Sequence, residues 1–148
     1  MTKYYTDGYM IGGNPSKVGG GYTIVDENNN LIERKEILQF NFTNNEAEIL
    51  GILNAMKYAQ IGDTVSTDST CCLSWTNKGV SKLRPDLFPL LQECKTILKE
   101  KNINLIWEGR DFNLAGIYNE KQAHSRGHKK YIRKLVRIYG YNKQRPTR

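Results

Sequence analysis

The stretch YTDGYMIGGNPSKVGGGY, residues 5–22, carries a lone acid, Asp7, behind two aromatics and then spreads six glycines over residues 7–21. Aspartate is disfavoured in strands and costly to bury alone. Glycine gives up stiffness and is used where a backbone must turn sharply or approach another group closely. Residues 3–7 read as a short strand that Asp7 closes, followed by a glycine-rich turn. A second acid has a similar setting. DTVSTD (63–68) reads as a strand closed by Asp68, and STCCLSWTNK (69–78) as a helix capped by Ser69 or Thr70. In open α/β sheets the chemistry gathers where strands end and connections cross over. Either acid alone is explained by a turn or a helix start; both together point to a site.

Working outward, GYTIVDENNNLIERKEILQF (21–40) has the alternation of a hairpin, with its turn at Asn28–Asn30. In TNNEAEILGILNAMKYA (43–59), Ile49, Ile52, Leu53 and Met56 recur at helical spacing, and Thr43 or Asn44 can cap the helix. Glu46 and Glu48 lie on opposite shoulders of that apolar stripe, and periodicity does not choose between them. DLFPLLQECKTILKEKN (86–102) reads as a helix, with Pro89 tolerable in its first turn, INLIWEG (103–109) as a strand, and a last helix starts near Phe112. The expected architecture is α/β: three antiparallel strands, then two joined in parallel through right-handed crossovers, flanked by helices.

The 148 residues suffice for one domain with a real core, and 39% hydrophobic with 25% charged residues is ordinary for a globular chain. No apolar run approaches the roughly 20 residues of a membrane span. MTKYYTDGYM lacks a signal-peptide core, so a cytoplasmic protein without a membrane partner is expected. Cys71, Cys72 and Cys94 have neither disulfide-framework nor zinc spacing. The net charge of +7 is uneven: residues 1–120 hold 12 Lys/Arg against 15 Asp/Glu, whereas residues 121–148 hold 10 Lys/Arg and no acid. Such asymmetry points to a polyanion, nucleic acid first. In HKKYIRKLVRIYGY, Tyr131, Ile132, Leu135, Val136 and Tyr139 share one helical face; Lys130, Arg133, Lys134 and Arg137 form another, suited to phosphates or, as the rival, to an anionic membrane surface. Residues 1–124 are expected to form the domain and residues 125–148 a basic, part-helical extension.

Three motifs in order resemble ribonuclease H of the type 1 branch. YTDG with GGNP resembles that family's opening strand and turn, TNNEAE its Thr-Asn-Asn-x-x-Glu helix start, and STDST its third acid; the likeness runs from about Tyr4 to Ala115. The resemblance implies an RNase H-like mixed five-stranded sheet. It also implies a metal-dependent endoribonuclease, a monomer, that cuts the RNA strand of RNA–DNA hybrids with two Mg²⁺ ions, for which Mn²⁺ can substitute. It selects Glu48 over Glu46, makes Asp7, Glu48 and Asp68 the metal-binding carboxylates, and assigns hybrid contacts to Asn14, Thr43, Asn44 and Asn45. Two departures stand out. Gly116 falls near the family's fourth acid, so Glu120, one turn on, is preferred for that role, with Asp111 as the alternative. The family's histidine before the last helix is missing from EGRDFN, and His124 and His128 come after it. A hybrid-binding module without cleavage and a DNA-junction nuclease of the same fold are the competing functions.

Overall fold

A computed structural model describes residues 1–124 of the chain. Five strands form one sheet: β1 (Lys3–Ile11), β2 (Gly19–Asp26), β3 (Leu31–Leu38), β4 (Thr64–Thr67) and β5 (Asn104–Trp107), in the order β3-β2-β1-β4-β5. β1, β2 and β3 pair antiparallel, while β4 joins β1 and β5 joins β4 in parallel. The helices are α1 (Asn44–Tyr58), α2 (Thr70–Lys78), α3 (Phe88–Glu100) and α4 (Leu114–His124). This is the expected mixed α/β sheet. The basic face at Lys130, Arg133, Lys134 and Arg137, and His128, lie outside the described residues. No described helix is long and apolar enough to cross a membrane.

The first strand differs from its expected extent. β1 continues four residues past Asp7, because Gly8 to Ile11 pair with Tyr22 to Gly19 of β2. Asp7 therefore lies mid-strand, and the turn comes only after Ile11. Asp7 still marks an end of another kind. β4 pairs with β1 only along Lys3–Tyr5, so β1 outruns its parallel neighbour just before Asp7. The last helix also begins later than Phe112: a 3-10 turn, Arg110–Phe112, precedes it, and the Asn113 side chain accepts from the N–H groups of Ala115 and Gly116. Asp111, the alternative for the fourth acid, is exposed in that turn.

Side chains alternate across a strand. Thr6 and Gly8 meet α1, whereas Asp7 turns toward α4 on the opposite face. The main core fills the α1 face with Tyr22, Ile24, Ile49, Ile52, Leu53, Met56, Val65 and Leu91. The apolar stripe of α1 is thus buried as its spacing predicts. Cys72 and Cys94 are small buried members of this core, and Cys71 is exposed. At the C-terminal end of α1, Lys101 Nζ donates to the carbonyls of Met56, Lys57 and Ala59, satisfying acceptors that a helix end leaves open.

At Gly8 the backbone of α1 passes close to β1. A Cβ there would lie 2.7 Å from Ala47 Cβ and 2.9 Å from the Glu48 nitrogen. The helix carries the obstructing backbone, so no side-chain rotation relieves the clash. Gly8→Ala should cost about 1–3 kcal/mol of stability, the range for overpacking a tight contact. A urea titration checks this; an unchanged midpoint would show that the packing is looser than these distances.

Candidate metal centre

Three elements deliver one carboxylate each to the place where β1 outruns β4. Asp7 comes from β1, Asp68 follows β4 directly, and Glu48 comes from the second turn of α1. One oxygen from each lies within 4.8 Å of the others. Local chemistry explains why Glu48 and not Glu46 arrives. Thr43 is the N-cap of α1 and forms a capping box with Glu46: Thr43 Oγ1 accepts from the Glu46 N–H, and Glu46 Oε1 accepts from the Thr43 N–H at 3.1 Å. Glu46 also faces Arg84, whose fork holds Asp86 and donates to Thr43 Oγ1. Glu48, two residues on, points inward and is 5% exposed. With β4 ended, the Gly8 N–H finds its acceptor in Glu48 Oε2 at 3.2 Å. Asp68 is placed by the chain reversal into α2, whose N-cap is Ser69, and its carbonyl accepts from the Trp107 indole N–H.

The electrostatics of this cluster are unfavourable unless something positive enters it. Two unit charges about 4.8 Å apart repel by about 3 kcal/mol at an effective dielectric of 20. Three such pairs rival a whole domain's stability of about 5–15 kcal/mol. Burial raises all three carboxyls, and neighbouring negative charge adds to it at Asp7 and Glu48. Asp7 goes up to about 6, chiefly through desolvation and then against the opposing hydrogen bond from Asn119. Glu48 goes well above the carboxylate range, through burial and the charges of Asp7 and Asp68, and Asp68 is raised mainly by burial. Glu48 Oε1 is buried and has no hydrogen-bond donor. Its neighbours across the cleft are carboxylates, so a proton or a cation satisfies it better than any protein group at hand. A hard divalent ion that prefers carboxylate oxygens fits this donor set.

The three acids, Gly8, Asn44, Ser69 and Arg110 line a cleft of about 340 Å³. A second hollow of about 200 Å³ adjoins it, lined among others by Asp7, Arg110, Gly116, Asn119 and Glu120. Glu120 thus shares a wall with Asp7 but is exposed and stands outside the three-carboxylate group; Asp111 lines neither hollow. Gly116 is the closer position: a Cβ there would lie 3.6 Å from Asp7 Oδ2, an ordinary contact. The Asn44 N–H donates to the exposed Asn14 side chain at 3.0 Å, which ties the glycine turn to the start of α1 beside the cleft. Thr43 is engaged in capping, and Asn45 contacts the Cys72 thiol. His124 closes α4. Two contributors were missed by sequence reasoning. Arg110 lines both hollows and its charge lowers Asp68 and Asp7 against their burial. Asn119 contacts Asp7 directly. Position just after a strand could have flagged Arg110; for Asn119 the only signal was its place one turn beyond Gly116.

Known structures share this fold. The ribonuclease H1 of the halophilic archaeon Halobacterium salinarum matches with a TM-score of 0.61 at 19% identity, covering 84% of this chain and 98% of that one. The fold is that of ribonuclease H1. A ribonuclease H1 isolated from compost by a metagenomic approach also gives 0.61, at 25% identity over 84% of this chain and 98% of its own. The structure of that type in complex with an RNA/DNA hybrid gives 0.56 at 25% identity, over 76% and 88%. These neighbours support a ribonuclease HI-like family. No family model and no curated protein sequence matches the chain.

The raised carboxyls make a prediction about the metal-free protein. Unfolded, they ionise near pH 4; folded, they hold their protons to higher pH, Asp7 to about 6. Their contribution to stability is therefore complete below about pH 4 and is lost as pH rises through about 6 and beyond. Asp7→Asn should flatten that loss and melt higher than wild type at pH 7 in chelator. Thermal melts from pH 4 to 8 check it; parallel curves for the two proteins would contradict it.

Proposed function

We propose that the protein is a divalent-metal-dependent endoribonuclease that hydrolyses the RNA strand of RNA–DNA hybrids. The observation that carries this is the convergence of Asp7, Glu48 and Asp68, with Glu48 Oε1 buried and lacking any donor. Asp7, Glu48 and Asp68 would hold Mg²⁺, or Mn²⁺ in its place, with Glu120 reaching in across the adjoining hollow as a fourth, peripheral ligand. Bound there, two ions supply Lewis-acid stabilisation of the phosphate and of the attacking and leaving oxygens.

The chain's own residues do the rest. Arg110, a permanent cation at the mouth of both hollows, binds the phosphate oxygens of the scissile linkage and offsets its charge as bonds rearrange. Asn14 and Asn44 meet at the cleft wall, where amide groups can test for ribose 2′-hydroxyls, the feature that separates RNA from DNA. Thr43 and Asn45 set the start of α1 that presents them. Lys130, Arg133, Lys134 and Arg137 of the basic extension add affinity for the backbone that falls with salt. The products would carry 3′-hydroxyl and 5′-phosphate ends.

One observation favours a second function. Gly116 leaves the space beside Asp7 without a carboxylate, as in a module that holds hybrids and does not cut. A DNA-junction nuclease ranks lower, because the paired Asn14 and Asn44 suit ribose recognition.

A labelled RNA–DNA hybrid, duplex RNA and a four-way DNA junction, each incubated with Mg²⁺, separate these functions. The nuclease should cut only the hybrid, and Asp68→Asn should lower that rate at least about 100-fold, an oxyanion-scale loss of electrostatic stabilisation. Binding of hybrid with no turnover in Mg²⁺ or Mn²⁺ would instead support the module, and equal cutting by wild type and Asp68→Asn would defeat the assignment.

A further inference from the structure

On the side of Asp7 away from Glu48, α4 presents an amide. Asn119 Nδ2 donates to Asp7 Oδ2 at 3.0 Å and reaches the Asp7 carbonyl at 3.5 Å. Asn119 is 9% exposed, and its orientation is fixed by what faces its oxygen. The fully buried Thr23 hydroxyl donates to Asn119 Oδ1 at 2.6 Å, and Arg34 Nε donates to the same atom at 3.4 Å. Arginine has no acceptor. The oxygen must therefore face Arg34, and the amino group must face Asp7. Arg34 is itself held, its guanidinium 4.1 Å from the centroid of the Tyr9 ring. Thr23 pairs with Asp7 across β1 and β2, so the sheet register sets this geometry.

Resting on the nuclease function above, we propose that Asn119 is a positioning residue for the metal centre: its locked amide occupies one oxygen of Asp7 and turns the carboxylate so that the other serves a divalent cation. The same contact explains how the site tolerates glycine at 116. Where a fourth acid would add charge beside Asp7, this chain supplies a neutral donor that steadies Asp7 as an anion without competing for the ion. Asp7, Glu48 and Asp68 then carry the metal with Glu120 at its periphery, and the Thr23–Asn119–Asp7 chain supplies the rigidity that an acid at 116 would give.

The test uses the full-length chain and reads Mg²⁺ uptake by calorimetry beside hybrid cleavage and thermal melting. Asn119→Ala should bind Mg²⁺ about 10-fold more weakly, the lower end of the effect of losing such an outer partner. Its cleavage should recover when Mg²⁺ is raised, with KM for the hybrid unchanged. Thr23→Val, which removes only the donor to Asn119 Oδ1, should shift Mg²⁺ binding in the same direction by less. Wild-type Mg²⁺ affinity in Asn119→Ala, even with a lowered melting temperature, overturns the proposal. If Asn119→Ala does not fold, Thr23→Val decides: weakened uptake supports the proposal and unchanged uptake overturns it. Wild-type protein that takes up no Mg²⁺ defeats the nuclease function itself, and the role of Asn119 with it.

Discussion

The structure turns on one contact, the hydrogen bond from the Gly8 N–H to the buried Glu48 carboxylate. It exists because two things coincide. β4 ends early and leaves that edge of β1 unpaired, and Gly8 lacks the side chain that would hold α1 away. A helix pressed this closely to the strand brings a carboxylate into the sheet beside two others, where burial raises all of their pKa values. The packing that stabilises the fold thus creates an electrostatic demand that a cation relieves, and fold and site cannot be altered independently at this point.

The remainder of the site is arranged around that demand in graded fashion. Asn119 and Gly8 satisfy particular carboxylate oxygens with neutral donors. Arg110 lends long-range positive charge without a salt bridge to the acids within 4.0 Å among the described residues. Glu48 Oε1 is left over. Neutral donors fix geometry while leaving the net negative charge in place, which suits a centre that must still attract divalent ions and release a charged product.

Much of this was legible in the sequence, for identifiable reasons. The helix period of α1, the hairpin turn at Asn28–Asn30 and the strand ending at Asp68 are local signals, and each held. The extent of β1 was hidden because the glycine-rich stretch after Asp7 reads as a turn and the hairpin is expected only from Gly21. Their pairing is a long-range property of the sheet. Periodicity could not choose between Glu46 and Glu48, yet the spacing Thr43-x-x-Glu46 is a capping box and consumes Glu46 locally. Asn113 caps α4 and its amide also reaches the Thr6 carbonyl of β1, a partner that no local pattern announces. Asn119 and Arg110 carry only positional signals for the same reason: their roles depend on which strand lies opposite them.

The proposed activity requires that Asp7, Glu48 and Asp68 together hold divalent ions. Diffraction from crystals soaked in Mn²⁺ at the manganese edge addresses it most directly. An anomalous peak is expected in contact with oxygens of all three side chains, with Glu48 Oε1 among the ligands. A peak elsewhere, or none at the cluster in a well-occupied soak at neutral pH, would contradict it.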